Sequence, residues 1–144
     1  MNKFILLIFC VCFIVIQSNA QTKVIANITN IKSNEGVCRA CLFSNELSFT
    51  SKNSPLTCIE VSVKNKLAIA VFSNVTPGTY AVFVFHDINN NFKMDKNIFG
   101  IPKEGYGASN NKLPFAAAPH FDDNKFIVSN NNIISLNIHL RNVF

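Results

Sequence analysis

The chain has 144 residues, of which 49% are hydrophobic and 15% charged, and its formal net charge is +5. The lysines and arginines are scattered and form no basic stripe, so nucleic acid is not a predicted partner. The length suits one domain with one hydrophobic core and excludes an array of several domains.

The N-terminal residues are typical of a secretory signal peptide. Lys3 supplies a positive charge, residues 4–16 form an uninterrupted apolar run, and small residues stand at Ser18 and Ala20. The run is shorter than the roughly 20 residues that a transmembrane helix needs. We therefore predict cleavage before Gln21, a secreted or periplasmic location, and no stable membrane insertion afterwards. The mature chain would have 144 − 20 = 124 residues and a net charge of 12 − 8 = +4.

After the signal peptide, short apolar stretches alternate with polar turns, which is typical of β-strands. Val24, Ala26 and Ile28 recur at every second position and are predicted to face the core. The most apolar stretch, 80–86, is predicted to be a central strand. The last two strands are expected to pair as a hairpin around the asparagines at 130–132. The seven predicted strands lie at 22–31, 37–43, 58–63, 67–72, 80–86, 125–129 and 133–140.

Seven short strands without a sustained helical period indicate an all-β fold. We predict a two-sheet antiparallel β-sandwich, transthyretin-like or immunoglobulin-like, that forms one domain over residues 21–144 and carries one long polar loop. Residues 44–57 are predicted to be a loop or a single helical turn, with Leu47 and Phe49 closing one end of the core.

Three cysteines follow the signal peptide, at Cys38, Cys41 and Cys58. Disulfides form in the oxidising environment of exported proteins. Cys38 and Cys41 lie on one predicted strand, and residues three apart face opposite sides of a sheet, so a bridge between them has poor geometry. We predict a disulfide between Cys58 and one of the other two, with free buried thiols, or cysteines with a redox or metal-binding role, as the alternatives.

Oxygen-bearing side chains are concentrated in the polar loop after the central strand. Asp87, Asn89, Asn91 and Asp95 occupy positions 1, 3, 5 and 9 of a calcium-loop pattern, and the carbonyl of Lys93 takes position 7. At this spacing several oxygens converge around a tight turn. The pattern therefore predicts Ca²⁺ as a candidate cofactor.

Two positions depart from that pattern and make any calcium binding weak. Phe92 stands where the turn needs glycine, and Ile98 stands where a bidentate glutamate is usual. Glu104 could return to supply a missing ligand, because Gly100 and Pro102 favour a turn before it. The alternative is an ordered turn in which Asx side chains bond their own backbone without an ion.

The same region contains the candidate catalytic residues. A hydrolase-type enzyme would use His86, Asp87 and Glu104, or Ser109 as a nucleophile, although the context of this serine is not a nucleophile-elbow motif. A transition-metal site would draw on the histidines of the chain, since imidazole suits copper or zinc: His86, His120 and His139.

Residues 77–111, PGTYAVFVFHDINNNFKMDKNIFGIPKEGYGASNN, and the later PHFDDNKF closely resemble the bacterial exported domain-of-unknown-function family 2141. The resemblance implies a small exported β-sandwich and brings no established activity. Phe92 stands where that family has glycine, and the cysteines are not part of its pattern. The loop is also similar to calcium-binding repeat modules of bacterial adhesins, which implies a stabilising ion. The matching residues are Pro77, Gly78, Tyr80, Ala81, His86, Asp87, Asn89, Asn91, Asp95, Gly100, Ile101, Pro102, Glu104, Gly105, Tyr106, Gly107, Ser109, Pro119 and Phe121.

These features predict a secreted or periplasmic binding, interaction or structural module, whose partner is an unknown protein or small ligand. The long polar loop is its expected functional edge. The hydrolase described above and a small-ligand carrier are the alternatives.

Overall fold

A computed structural model describes residues 21–115 and 117–143, and the predicted signal peptide lies outside them. No helix within these ranges is long and apolar enough to cross a membrane. The elements in chain order are β1 Lys23–Thr29, β2 Val37–Phe43, α1 Glu46–Ser51, β3 Thr57–Ser62, β4 Ala68–Ser73, β5 Gly78–Asp87, β6 Tyr106–Ala108, α2 Phe121–Asn124, β7 Phe126–Val128 and β8 Ile133–His139.

The strands form two sheets, which confirms the predicted all-β sandwich. The three-stranded sheet has the order β4-β1-β8, and the five-stranded sheet has the order β3-β2-β5-β6 with β7 also paired to β5. The central position predicted for β5 is confirmed, since three strands pair with it. The β1–β8 pair is parallel, whereas the other strand pairs are antiparallel.

Side-chain alternation along the strands fills the space between the sheets. Val24, Ala26 and Ile28 of β1 are fully buried there, as predicted. Val82 and Val84 of β5 belong to the same core cluster. Their neighbours on β5 point to the other face of the five-stranded sheet, because successive strand residues face opposite sides.

The hairpin predicted for the last two strands is wrong. β7 pairs with β5, and β8 pairs with β1 in the other sheet. The connection between them bonds to the start of β1: the Asn132 carbonyl accepts from the Lys23 amide, and the Thr22 hydroxyl accepts from the Asn131 amide. Apolar alternation specifies which face of a strand is buried but not which strand lies beside it.

Two further predictions, the continuous polar loop and the burial of Leu47, are wrong. The region predicted as one continuous loop contains β6, whose Gly107 lies so close to β8 that a Cβ would meet Ile138 Cγ2 at 2.6 Å. The predicted helical turn is present as α1, and it buries Phe49, but Leu47 is 82% exposed. Only one of the two apolar side chains of α1 therefore contributes to a core.

Short bridges link the end strands of the two sheets. Lys64 and Leu67 pair across a two-residue turn between β3 and β4, with both central residues at positive φ. Between β6 and the end of β8, Tyr106 and Arg141 exchange backbone hydrogen bonds of 3.1 and 2.7 Å. Each end strand of one sheet is thus joined to an end strand of the other.

The outer face of the five-stranded sheet carries a second apolar cluster. Helices α1 and α2 cover part of this face through Phe49 and Phe121, whose ring centroids are 6.0 Å apart. This cover explains why β5 is apolar on both of its faces. The buried members of the cluster are Cys41, Phe43, Phe49, Ala81, Phe83, Phe85, Tyr106, Ala108 and Phe121.

Candidate functional site

The long loop, residues 88–105, connects β5 to β6 and begins at a fully buried carboxylate. Asp87 Oδ1 accepts a hydrogen bond from the Asn91 amide at 3.0 Å, and Oδ2 accepts one from the Phe92 amide at 2.7 Å. A carboxylate that accepts two backbone N–H groups forms charge-assisted hydrogen bonds. Asp87 therefore defines the first turn of the loop.

A second buried carboxylate holds the far end of the long loop against its start. Glu104 Oε1 accepts from the Ile88 amide at 3.1 Å, and Oε2 accepts from the Asp95 amide at 3.0 Å. The side chain is only 4% exposed. Glu104 thus joins three points of the loop that are distant in sequence.

Asp95 collects the two asparagine side chains of the predicted calcium pattern. Its oxygens accept from Asn89 Nδ2 at 2.7 Å and from Asn91 Nδ2 at 3.0 Å, while Asn91 Oδ1 accepts from the Lys93 amide at 2.8 Å. The structure therefore brings the predicted calcium residues together in one hydrogen-bonded loop. Within the described ranges, no group of three or more His, Cys, Asp or Glu side chains is placed to hold a metal. Calcium stays a prediction.

Thermal melting tests that prediction directly. Binding of Ca²⁺ would require the Asn89 and Asn91 amides to turn their oxygens toward the ion. An ion that binds only the native state raises the melting temperature by mass action. A weak site predicts a higher melting temperature in about 10 mM Ca²⁺ than in EDTA. Equal temperatures in the two buffers would contradict calcium binding.

His86 and Ser109, two of the candidate catalytic residues, form hydrogen bonds with the backbone of the fold. The Nε2 atom of His86, which is 1% exposed, lies 2.7 Å from the Glu35 carbonyl oxygen. The Ser109 hydroxyl accepts from the Val82 amide at 3.0 Å and donates to the Asn124 carbonyl. Among the described hydrogen bonds, none joins His86 to Ser109. Both side chains connect separate segments of backbone.

The three histidines considered for a transition metal have separate partners. Besides His86, His139 Nδ1 lies 2.7 Å from the Thr29 hydroxyl, and His120 Nδ1 lies 3.5 Å from a carboxylate oxygen of Glu46. Their contacts lie on different elements, so the structure does not group them around one point.

The predicted disulfide is confirmed, and it joins Cys41 to Cys58. These two residues are directly opposite in the β2–β3 register, with Cα atoms 4.1 Å apart. Cys38, three residues earlier on β2, faces the other side of the sheet and is buried in the sandwich core. Burial raises the pKa of its thiol to about 12, so this cysteine is protonated and unreactive at neutral pH.

A cleft of about 800 Å³, here called the outer cleft, lies over the outer face of the five-stranded sheet. The long loop forms one wall. The other described residues of the lining are at the end of α1 and just after it, and in the segment before α2: Thr50, Ser51, Lys52, Asn53, Pro55, Phe115, Ala117, Ala118 and Pro119. Side chains of β2, β3, β5 and β6 form the floor: Cys41, Phe43, Cys58, Phe83, Phe85 and Tyr106.

The long loop presents large apolar side chains to the outer cleft. Phe92, Phe99 and Ile101 line it and are 58%, 79% and 39% exposed. Phe92 also has a φ of 62°, a backbone conformation that is costly for a residue with a large side chain. The guanidinium carbon of Arg39 lies 5.5 Å from the centroid of the Phe92 ring. This strained position therefore places an exposed ring on the wall of the cleft.

Sequence reasoning placed the functional edge in the long loop but missed the outer cleft. One signal was present: residues 82–85 of β5 are apolar at every position. A strand that is apolar on both faces must be covered on both faces. This requirement indicated a second layer over the sheet, and the cleft lies where that layer is incomplete.

The fold and the loop define a class of protein: a small β-sandwich with a hydrogen-bonded loop built over one outer face. The family described as an uncharacterized protein conserved in bacteria (DUF2141) matches residues 26–135. The chain belongs to this family, as the resemblance of its loop predicted. The match extends from within β1 to within β8 and includes the whole long loop. Comparisons with curated proteins and with solved structures found no match.

Proposed function

We propose that the protein is an exported module that binds a small ligand in the outer cleft. The observation that carries this proposal is a concave space of about 800 Å³ walled by exposed apolar side chains. Ligand pockets have volumes of roughly 300–1,000 Å³. Large exposed apolar patches on soluble proteins mark binding surfaces, so a ligand that covers these side chains is the expected occupant.

Two features support the export part of the proposal. The first twenty residues have the charge, apolar run and small residues of a signal peptide. The Cys41–Cys58 disulfide is the kind of crosslink that persists in oxidising compartments. Both features fit a protein that works outside the cytoplasm.

Ligand binding is favoured over hydrolysis by the composition of the outer cleft. Its described lining contains none of the candidate catalytic residues His86, Glu104 and Ser109. All three are buried and hydrogen-bonded within the fold. Their hydrogen bonds are made to backbone groups of the fold, and this structural role accounts for their burial.

Binding of a neutral fluorescent probe tests the proposed function. N-phenyl-1-naphthylamine, which is uncharged at neutral pH, should become strongly fluorescent when it enters the cleft. Phe92→Gly should weaken this binding about tenfold, which corresponds to ~1.4 kcal/mol. Glycine adopts the positive φ of this position without strain. The variant should therefore melt within a few degrees of the parent while it loses affinity.

Ile127→Ala provides the matched control. Ile127 is 72% exposed on β7 and does not line the outer cleft. It should leave probe binding unchanged. Absence of a saturable fluorescence change with the parent protein, or equal affinities for the parent and Phe92→Gly, would overturn the proposed site.

A further inference from the structure

We propose that the ligand of the outer cleft is a free amphipathic carboxylate, with an apolar body and one terminal anionic group. This inference rests on the proposed function and adds the chemical class of the ligand. Two independent features of the cleft carry it: the sign of its charged side chains, and an ammonium group that lies over its aromatic floor and has no salt bridge with a described carboxylate.

The charged side chains that line the outer cleft all have the same sign. Its described lining contains four cationic side chains and no carboxylate: Arg39, Lys52, Lys93 and Lys96. Arg39 is already paired with Glu60. The remaining three are lysines, so an anion that contacts the described lining meets positive charge there, and the Glu46 carboxylate that acts on Lys52 lies outside the lining. A cationic ligand would be repelled by the same side chains.

Lys52 places its ammonium group inside the outer cleft. Its Nζ atom lies 4.2 Å from the ring centroid of Phe49 and 4.4 Å from that of Phe83, a residue of the floor. The ammonium donates a hydrogen bond to the Phe49 carbonyl, and it has no salt bridge with any described carboxylate. It therefore keeps unused hydrogen-bonding capacity, which a ligand carboxylate would satisfy.

The environment of Lys52 makes a bound anion more favourable. The pKa of its ammonium is lowered to about 8, chiefly by burial; the carboxylate of Glu46 acts in the opposite direction, and the charge of Lys96 contributes to the lowering. A partly desolvated cation gains more from an opposite charge than one in water does. A bound carboxylate should therefore raise the pKa of Lys52 back toward its ordinary value.

The apolar side chains determine the body of the ligand. Phe92 and Phe99 face a concave space rather than a plane, and the Lys52 ammonium lies beside the floor at Phe83. A single free molecule can cover the rings with an alkyl or aryl body while its carboxylate reaches the ammonium. A flat anionic membrane would contact the rim residues without reaching this group. The shape therefore favours a free ligand over a lipid surface.

Displacement of the neutral probe by a matched series of twelve-carbon compounds tests the inference. Laurate, dodecanol and dodecyltrimethylammonium share an apolar chain and differ in the charge of the head group. Laurate should displace the probe at about tenfold lower concentration than dodecanol, as expected for one charge-assisted contact. Dodecyltrimethylammonium should be the weakest competitor.

Lys52→Met should remove the advantage of laurate over dodecanol. Lys66→Met is the matched control, because both lysines have a φ of 58° but Lys66 is exposed in the β3–β4 turn, away from the cleft. In the parent, the advantage of laurate should decrease between pH 7 and about 9.5, as Lys52 loses its proton. In Lys52→Met it should be small and independent of pH over that range.

The outcomes separate this inference from the proposed function. If laurate and dodecanol displace the probe equally, the anionic head group is wrong and the apolar site stands. If the probe does not bind at all, the proposed function fails first. Sedimentation with phosphatidylglycerol-containing vesicles is the third measurement. Vesicle binding that laurate does not inhibit and that Lys52→Met does not change would overturn the inference in favour of a membrane surface.

Discussion

Changing Glu104 to glutamine should lower the free energy of unfolding by about 2 kcal/mol, because one of the two backbone hydrogen bonds that its buried carboxylate accepts is lost. Glutamine keeps one oxygen and turns an NH₂ group toward the amide of either Ile88 or Asp95. That arrangement leaves a buried donor without an acceptor. Urea unfolding followed by circular dichroism measures the change, and hydrogen exchange should become faster at the Ile88 and Asp95 amides.

The control for this variant is Glu35→Gln. Glu35 is exposed, and its described hydrogen bonds involve only its backbone: the carbonyl oxygen lies beside His86 Nε2, and the amide donates to the Ser33 hydroxyl. Its replacement should stay within about 0.5 kcal/mol of the parent. The Glu104→Gln variant should also bind the neutral probe more weakly, since one wall of the outer cleft is the long loop. Parent-like stability and parent-like exchange in this variant would show that Glu104 does not hold the loop.

Changing Gly36 to alanine should have a still larger effect and cost more than about 3 kcal/mol. A Cβ at this position would lie 2.1 Å from the Asp87 carbonyl oxygen and 2.6 Å from Ile88 Cα, and both contacts are with backbone. The φ of 68° adds the strain that a side chain experiences in the left-handed region. Relief of the clash would displace the segment where β5 passes into the long loop.

Gly100→Ala separates the two causes, because Gly100 has a φ of 76° and no atom within 4 Å of the added Cβ. It should lose only the ~1 kcal/mol that a positive φ costs a residue with a side chain. Thermal or urea unfolding of both variants gives the comparison. Similar losses for Gly36→Ala and Gly100→Ala would mean that the contact with Asp87 and Ile88 is not what makes glycine necessary at position 36.

Residue spacing within a single strand correctly predicted the features that depend only on neighbouring residues. The alternation of Val24, Ala26 and Ile28 identified the buried face of β1, and the spacing of Cys38 and Cys41 correctly disfavoured a bridge between them. The choice between the two cysteines as partner of Cys58 stayed open. It depends on the register between β2 and β3, which is established by contacts between residues distant in sequence.

The features that sequence analysis missed arise from tertiary contacts. β6 has three residues, one of them glycine, and too little alternation to be recognised, yet Gly107 is held against Ile138 of β8. Lys52 follows a six-residue helix, where a lysine is expected to be solvated. It is drawn over Phe83 only because α1 packs on the outer face of the sheet. Neither the close approach of Gly107 to Ile138 nor the position of Lys52 over Phe83 can be recognised from a short stretch of sequence.

The opposition of Cys41 and Cys58 has a consequence for oxidative folding. Crosslinking Cys38 to Cys58 instead would require β2 to slide by three residues along β3. A shift by an odd number of residues turns every side chain of β2 to the other face of the sheet. Arg39 would then enter the core. The wrong disulfide isomer is thus incompatible with the sandwich. Once the right one has formed, the protonated thiol of Cys38 is a poor nucleophile for exchange. The register of β2 against β3 therefore places Cys41, and not Cys38, beside Cys58 before the disulfide forms.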